Sequence, residues 1–339
     1  MIFALGSGEN IAVPAEGRLG FNSACLEREG SSLLKSASLK TAYRAAVLSD
    51  DTAVFVVTQR RIKRLEISEQ LSGLRVRQTW STAITYGSHV LLSADETILI
   101  VTDTSGAHFG LSIANGEILW ETKPVGEGDA GALLNDGAFV FVTWDGMIQH
   151  LDPKSGQELS PTRKLDRQVR RLHVDSNGLL SLVEYVRSAN DALPGTWRLL
   201  RMDWPSLNCV IRDSKIDGGK IALSPDGTRI ASGGSSNSLQ IRSVGNAQTE
   251  FKQELPGPAH YNSRPVWSAD SKLIAVAIEY GHSIFSVESI EVISLSNSPY
   301  PEPASFSRSA VFVVLCDWSD AKIVKLSRMI RPQGLLSDH

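Results

Sequence analysis

Cysteine is scarce in this 339-residue chain: only Cys25, Cys209 and Cys316 occur. They are odd in number, far apart and without the spacing of a metal knuckle, so they read as free thiols in a reducing compartment. Long apolar runs are missing as well. No window approaches the ~18 apolar residues of a membrane-crossing helix. The opening MIFALGSGENIAVPAEG has neither the basic start nor the sustained apolar stretch of a signal peptide. A soluble, cytoplasmic protein is expected. Charge bias is also absent, since 34 Lys and Arg against 37 Asp and Glu leave a net charge of −3. That balance argues against nucleic acid as a partner, and any basic site must be local.

The spacings that announce common chemistries are missing too. His89, His108, His150, His173, His260, His282 and His339 are scattered. They form no His-x-His or His-Glu-x-x-His pair that would hold a metal from one element. No Gly-x-Ser-x-Gly nucleophile elbow occurs; the nearest run, Gly233-Gly234-Ser235-Ser236-Asn237, lacks the last glycine. Gly126-Glu-Gly128-Asp-Ala-Gly131 has the outline of a dinucleotide loop, but such a loop needs a helix after it. Here ALLNDGAFVFV follows, which reads as a hairpin, so the glycines are expected to form a connector. No catalytic residue, cofactor or metal site is assigned, although ligands drawn singly from several repeats would escape any spacing rule.

What the chain does contain is a repeat. An apolar residue, a small residue and then Asp or Asn precede a run of β-formers, as in Leu48-Ser49-Asp50-Asp51 before TAVFVVTQ and Leu223-Ser224-Pro225-Asp226-Gly227 before TRIASGG. With Asp51, Asp95, Asp136, Asn177, Asp226, Asp270 and Ser309 as markers, successive separations are 44, 41, 41, 49, 44 and 39 residues. A period of ~40–50 residues is that of a four-stranded propeller blade. Asp-Gly and Asn-Gly suit tight hairpins, and the Val, Ile, Phe and Thr that follow suit strands. Helical periodicity is sparse. The expected fold is therefore all-β: a seven-bladed propeller of four-stranded antiparallel blades forming a single domain over 1–339. Residues 1–20 are a leading extension, 21–40 closing strands, 41–327 the blades and 328–339 a tail. The last repeat lacks a clear fourth strand, so an N-terminal strand is expected to close the ring and remove its open edges.

Ser224-Pro225-Asp226-Gly227-Thr228-Arg229-Ile230-Ala231-Ser232-Gly233 resembles the inner hairpin of a WD-repeat blade. Asn115-Gly116-Glu117-Ile118-Leu119-Trp120 and the segment from Asp145-Gly146 to Ser155-Gly156 resemble quinoprotein-type blades. The Gly-His and Trp-Asp pairs of regular WD repeats are mostly missing, as is the adjacent cysteine pair of many quinoprotein dehydrogenases. The resemblance thus implies architecture and not an activity.

In a blade of strands a to d, the b–c and d–a connections share one rim, and here they are the longer ones. Tyr, Trp and Arg, the residue types enriched in binding hot spots, gather there. Arg60 and Arg61, Trp144 and Asp145, Tyr280 and His282, and Trp318 fall in b–c loops; Tyr86 and Tyr261 fall between blades. Arg44, His89, Arg171, Lys220 and Arg264 start the channel-lining strand a of five blades, where converging positive charge would attract an acidic segment. The expected function is non-enzymatic: a monomeric propeller that binds another protein through this rim, as a scaffold or as an inhibitor of immunity type. The alternative is a propeller enzyme acting on a small molecule or sugar in the channel, with or without a metal.

Overall fold

The computed structural model describes residues 36–326 apart from 71–72, 85–86, 129, 187–195, 217–220, 234–237, 245–248, 256–263, 280, 289–291 and 296–299. All its regular elements are strands. They are β1 (Ser36–Ala42), β2 (Arg44–Val47), β3 (Ala53–Val57), β4 (Arg61–Gln70), β5 (Gly73–Ala83), β6 (Gly87–Leu92), β7 (Ile98–Asp103), β8 (His108–Ser112), β9 (Ile118–Glu121), β10 (Ala130–Leu133), β11 (Phe139–Val142), β12 (Met147–Leu151), β13 (Glu158–Lys164) and β14 (Gln168–Val174). The second half continues with β15 (Leu180–Val186), β16 (Thr196–Met202), β17 (Cys209–Ile216), β18 (Ile221–Leu223), β19 (Arg229–Gly233), β20 (Ser238–Ser243), β21 (Thr249–Glu254), β22 (Val266–Trp267), β23 (Leu273–Ile278), β24 (Gly281–Ser286), β25 (Val292–Leu295), β26 (Ser305–Phe306), β27 (Phe312–Leu315) and β28 (Asp317–Lys325).

These strands form seven four-stranded antiparallel sheets, six of them consecutive quartets from β2 to β25. The seventh runs β1-β28-β27-β26, so the first strand among the described residues is the outer strand of the last blade. Ser36 pairs with Val324, Ala37 with Ile323 and Ser38 with Lys322. The register then slips around Lys40, whose φ of 63° marks a bulge, before Ala42 reaches Asp317. Closure therefore uses one strand, residues 36–42; the rest of the expected closing segment, 21–35, lies outside the described residues.

The second strand of each blade explains why neighbours are obligatory. AVFVV of β3, ILIVTD of β7, FVFV of β11, LIAVAI of β23 and FVVL of β27 are buried at every position. A strand wetted on one face alternates polar and apolar residues; these do not, because both faces meet another blade. Val54 and Val56 pack on Val314 and Ile323 of blade seven, whereas Phe55 and Val57 pack on Leu99 and Val101 of blade two. Each such side chain contributes roughly 1.5–3 kcal/mol by leaving water.

The repeat markers are turn devices. At all seven a–b turns one residue adopts a left-handed φ: Asp51, Glu96, Gly137, Gly178, Gly227, Ser271 and Ala310. The residue before it caps the turn, its side-chain oxygen accepting the N–H two positions on. Asp50 accepts from Thr52 at 2.9 Å, Asp136 from Ala138 at 2.9 Å and Asp270 from Lys272 at 3.1 Å. The true counterpart of Asp95 in blade one is therefore Asp50, one residue before the marker chosen from the sequence. Blade four differs, with Asp175 accepting from both Asn177 and Leu179. The small residue two places earlier completes the knot: the Ser93, Ser224, Ser268 and Ser307 hydroxyls accept the N–H five residues on at 2.8–3.0 Å. Capping hydrogen bonds lower the pKa of Asp50, and Lys154 together with Ser93 holds Asp95 far below the usual carboxylate range.

Outer strands dock through tryptophan. Trp80 of β5 donates to the Ile113 carbonyl at 2.9 Å and lies on Gly116 of blade two; Trp120 of β9 donates to the Pro153 carbonyl at 2.9 Å and lies on Gly156 of blade three. A Cβ on Gly156 would stand 2.6 Å from the Trp120 ring, at a φ of +69°. At Gly137, φ +87°, a Cβ would make only an ordinary 3.5 Å contact. Gly137→Ala should thus cost about 1 kcal/mol of backbone strain. Gly156→Ala should cost about 2–4 kcal/mol, because a clash adds to the strain. Urea denaturation of the two variants checks the difference, and equal losses would refute the docking role.

Candidate functional site

Blades seven and one meet on the rim that carries the b–c and d–a connections. The d–a link between β1 and β2 is a single residue, Tyr43, so its ring is fixed at the seam. It packs against Trp318 with ring centroids 5.1 Å apart, and Tyr300 flanks the same indole at 6.3 Å. Trp318 is 50% exposed and Tyr300 57%. Beneath them Glu302, nearly buried, accepts from Trp318 Nε1 at 2.7 Å and from Arg44 Nη1 at 2.8 Å. Arg44 also donates to the Tyr43 carbonyl at 2.6 Å. A buried carboxylate needs such partners. Glu302 thereby locks an aromatic platform in place across a strand boundary.

Several expectations for this rim change on inspection. His282 is not in a loop: it lies in β24, 1% exposed, with Nε2 2.8 Å from the Glu302 carbonyl, so it braces the platform from below and does not face a partner. Trp318 belongs to the start of β28, which rigidifies it. Tyr300 and Glu302 were missed by the sequence reading, although the Tyr-Pro-Glu-Pro run at 300–303 announces a d–a connection. Arg60 and Arg61 sit exposed at the β3–β4 turn, with Arg61 donating to Ser81 at 3.4 Å. Trp144, 37% exposed at the β11–β12 turn, carries the Arg170 guanidinium 5.0 Å over its ring. Asp145 caps that turn by accepting from the Thr143 hydroxyl. Tyr86, Tyr261 and Tyr280 lie outside the described residues.

Arg44, His89, Arg171 and Arg264 do converge, lining a central cavity of about 400 Å³. Lys220 lies outside the described residues. The positive charge is smaller than the sequence suggests, because Arg44 is paired with Glu302 at 2.8 Å, and Arg171 donates to the Arg170 carbonyl at 2.5 Å. Blades four and five contribute an apolar wall to the same cavity, including Val183, Leu199, Ile221 and Ile230.

The remaining motifs have structural roles. Gly128 lies where a Cβ would meet the Phe141 ring at 2.8 Å and Gly131 where it would meet Phe139 at 2.7 Å, and the β10–β11 hairpin follows in place of a helix. Among the described residues no three or more His, Cys, Asp or Glu side chains gather as metal ligands. Cys316 is buried, and desolvation pushes its thiol up to about 12; Cys209 is exposed and not part of a disulfide. His108, in β8, lies between Thr102 Oγ1 and Gln149 Oε1, each 3.0 Å away, and edges onto Phe139 and Phe141.

Burial lowers the pKa of His108 to about 4, and burial beside Arg201 does the same for His173. Both folded values lie below the ~6.5 of an unfolded histidine, so the unfolded chain takes up protons first as pH falls. Their contribution to stability is complete above about pH 6.5, is lost as pH drops towards 4, and is constant below that. For His108 the loss between pH 7 and pH 5 is about 2 kcal/mol. Urea midpoints should fall over this range, and less steeply in His108→Gln; parallel profiles would contradict the burial argument. No protein family and no curated protein matches the sequence.

Proposed function

We propose that this propeller is a non-enzymatic binding module that engages a partner protein through the rim of b–c and d–a connections. The observation that carries this reading is the Tyr43–Trp318–Tyr300 platform pinned by Glu302. Monomeric proteins seldom leave large aromatic side chains exposed and rigid together without use. Tryptophan and tyrosine give large contact area with little rotamer entropy to lose on binding. Arg60 and Arg61 in blade one and the stack of Arg170 of blade four on Trp144 of blade three add further anchors on the same rim. On the opposite rim the side chains of Asp50, Asp136, Asp175 and Asp270 are engaged in capping their own a–b turns.

A monomeric cytoplasmic scaffold and an inhibitor or immunity-type protein that covers a partner's surface both fit this arrangement. The tryptophan-on-glycine docking and the Ser-x-Asp turns support kinship with quinoprotein-like and WD-repeat-like propellers, at the level of blade construction. A second reading, a small-molecule site in the channel, is favoured by the central cavity of about 400 Å³.

The test uses partner captured from the native host with the full chain as bait. Trp318→Phe combined with Tyr300→Ala should weaken its affinity at least tenfold, while the protein still unfolds in one cooperative thermal transition. Leu159→Ser, on the exposed outer strand β13, should leave affinity unchanged. Full affinity in the double variant would overturn the rim as the binding face.

A further inference from the structure

The platform at the seam of blades seven and one offers ring faces first of all. Trp318 Nε1 is engaged by Glu302 at 2.7 Å, so the half-exposed indole presents its face and not its donor. Glu302 also holds Arg44, and Asp317, 1% exposed beside them, accepts from the Ser319 N–H at 2.7 Å. Both carboxylates of the seam are therefore buried and occupied. Tyr300, more exposed than Trp318, adds a phenol donor at the edge. A ligand that fits must be apolar in shape and must carry acceptors of its own.

The dimensions narrow the choice. The ring centroids of Tyr43 and Tyr300 lie 5.1 and 6.3 Å from that of Trp318, at tilts of 58° and 34°. The row is thus at most about 11 Å long, room for one turn of polyproline II helix, which advances ~9 Å per three residues. Such a helix carries its first and fourth side chains on one face, and it has little conformational entropy left to lose on docking. Its carbonyls have no internal partners, so one is open to the Tyr300 phenol. A peptide that adds as a β-strand needs an open sheet edge instead, and β28 is paired on both sides.

The charge next to the row comes from blade one and is positive. The Tyr43 N–H donates to the Val57 carbonyl at 2.8 Å, and Thr58, the next residue, opens the turn that carries Arg60 and Arg61. Both arginines are exposed. We infer that the partner covers this platform with an extended proline-rich segment, two prolines three residues apart, flanked on the blade-one side by Asp or Glu. The prolines lie on Tyr43, Trp318 and Tyr300, and the acidic side chain meets Arg60 and Arg61. This rests on the rim being the binding face and adds the chemistry of what it binds.

Fluorescein-labelled peptides titrated with the full chain and read by polarisation test the inference. The probe is nine prolines with Glu-Asp at both ends. The comparisons are nine prolines with Lys-Lys at both ends, and an alternating Gly-Ser run of equal length with Glu-Asp ends. The acidic proline peptide should bind saturably and at least about tenfold tighter than either comparison. Trp318→Phe with Tyr300→Ala should weaken it about tenfold. Arg60→Glu with Arg61→Glu should invert the preference, making the lysine-flanked peptide the tighter ligand, a gain that misfolding cannot produce. No saturable binding of the acidic proline peptide, equal binding of the Gly-Ser peptide, or an unaltered preference in the Arg60, Arg61 variant would overturn the inference. Captured host partner separates this from the broader reading: if its affinity depends on Trp318 and Tyr300 while the proline peptide does not bind, the rim stands as the binding face and the proline-rich segment alone is ruled out.

Discussion

Face-to-face burial of the second strand in every blade is the constraint from which the rest follows. A blade such as β2–β5 has no core of its own: Phe55 and Val57 belong to a cluster with blade two, and Val54 and Val56 to one with blade seven. Burying both faces of a sheet requires a neighbour on each side, and only a ring gives every sheet two. The ring in turn must be closed, because an open first or last blade would expose an unsatisfied apolar face and a free strand edge. β1 meets that requirement by pairing with β28, and the closing contact is apolar as well as hydrogen-bonded, since Leu39 and Ala42 join the cluster of blades seven and one.

The two rims then acquire different chemistry. Tight a–b turns demand a left-handed residue and an acceptor for the N–H groups they strand, so Asp, Asn and Ser on that rim are consumed by the turns. Neighbouring turns also latch together: Glu96 accepts from Ser49 across blades one and two, and Asn135 donates to the Ser176 carbonyl across blades three and four. The other rim carries no such uniform demand, and there aromatic and basic side chains are placed one at a time. The Glu302 carboxylate shows the logic. It is buried at the seam that closure creates, and it uses that position to orient Arg44 and Trp318.

The blade count, the closing strand and the turn chemistry were legible because each is local or periodic. The repeated acid before a β-rich run reports a hydrogen bond two residues long, and even its misassignment in blade one, Asp51 for Asp50, shifted nothing else. The site was legible only in outline. His282 was read as a loop residue because strand ends are uncertain by a residue or two, and on a strand each residue turns the side chain to the opposite face. The neutralisation of Arg44 could not be read at all, since its partner Glu302 lies 258 positions away.

Closure by β1 is the claim on which the ring, the Glu302 seam and the platform all rest. A disulfide across its register with β28, Ser38→Cys with Lys322→Cys, tests it directly. The two residues are paired across the strands, and bridging them closes a loop of nearly the whole chain, which should stabilise the fold by about 2–4 kcal/mol. The account predicts that the thiols oxidise to a single intramolecular bridge and that the oxidised protein unfolds at higher denaturant than the reduced one. Failure of the pair to bridge in the folded monomer would contradict it.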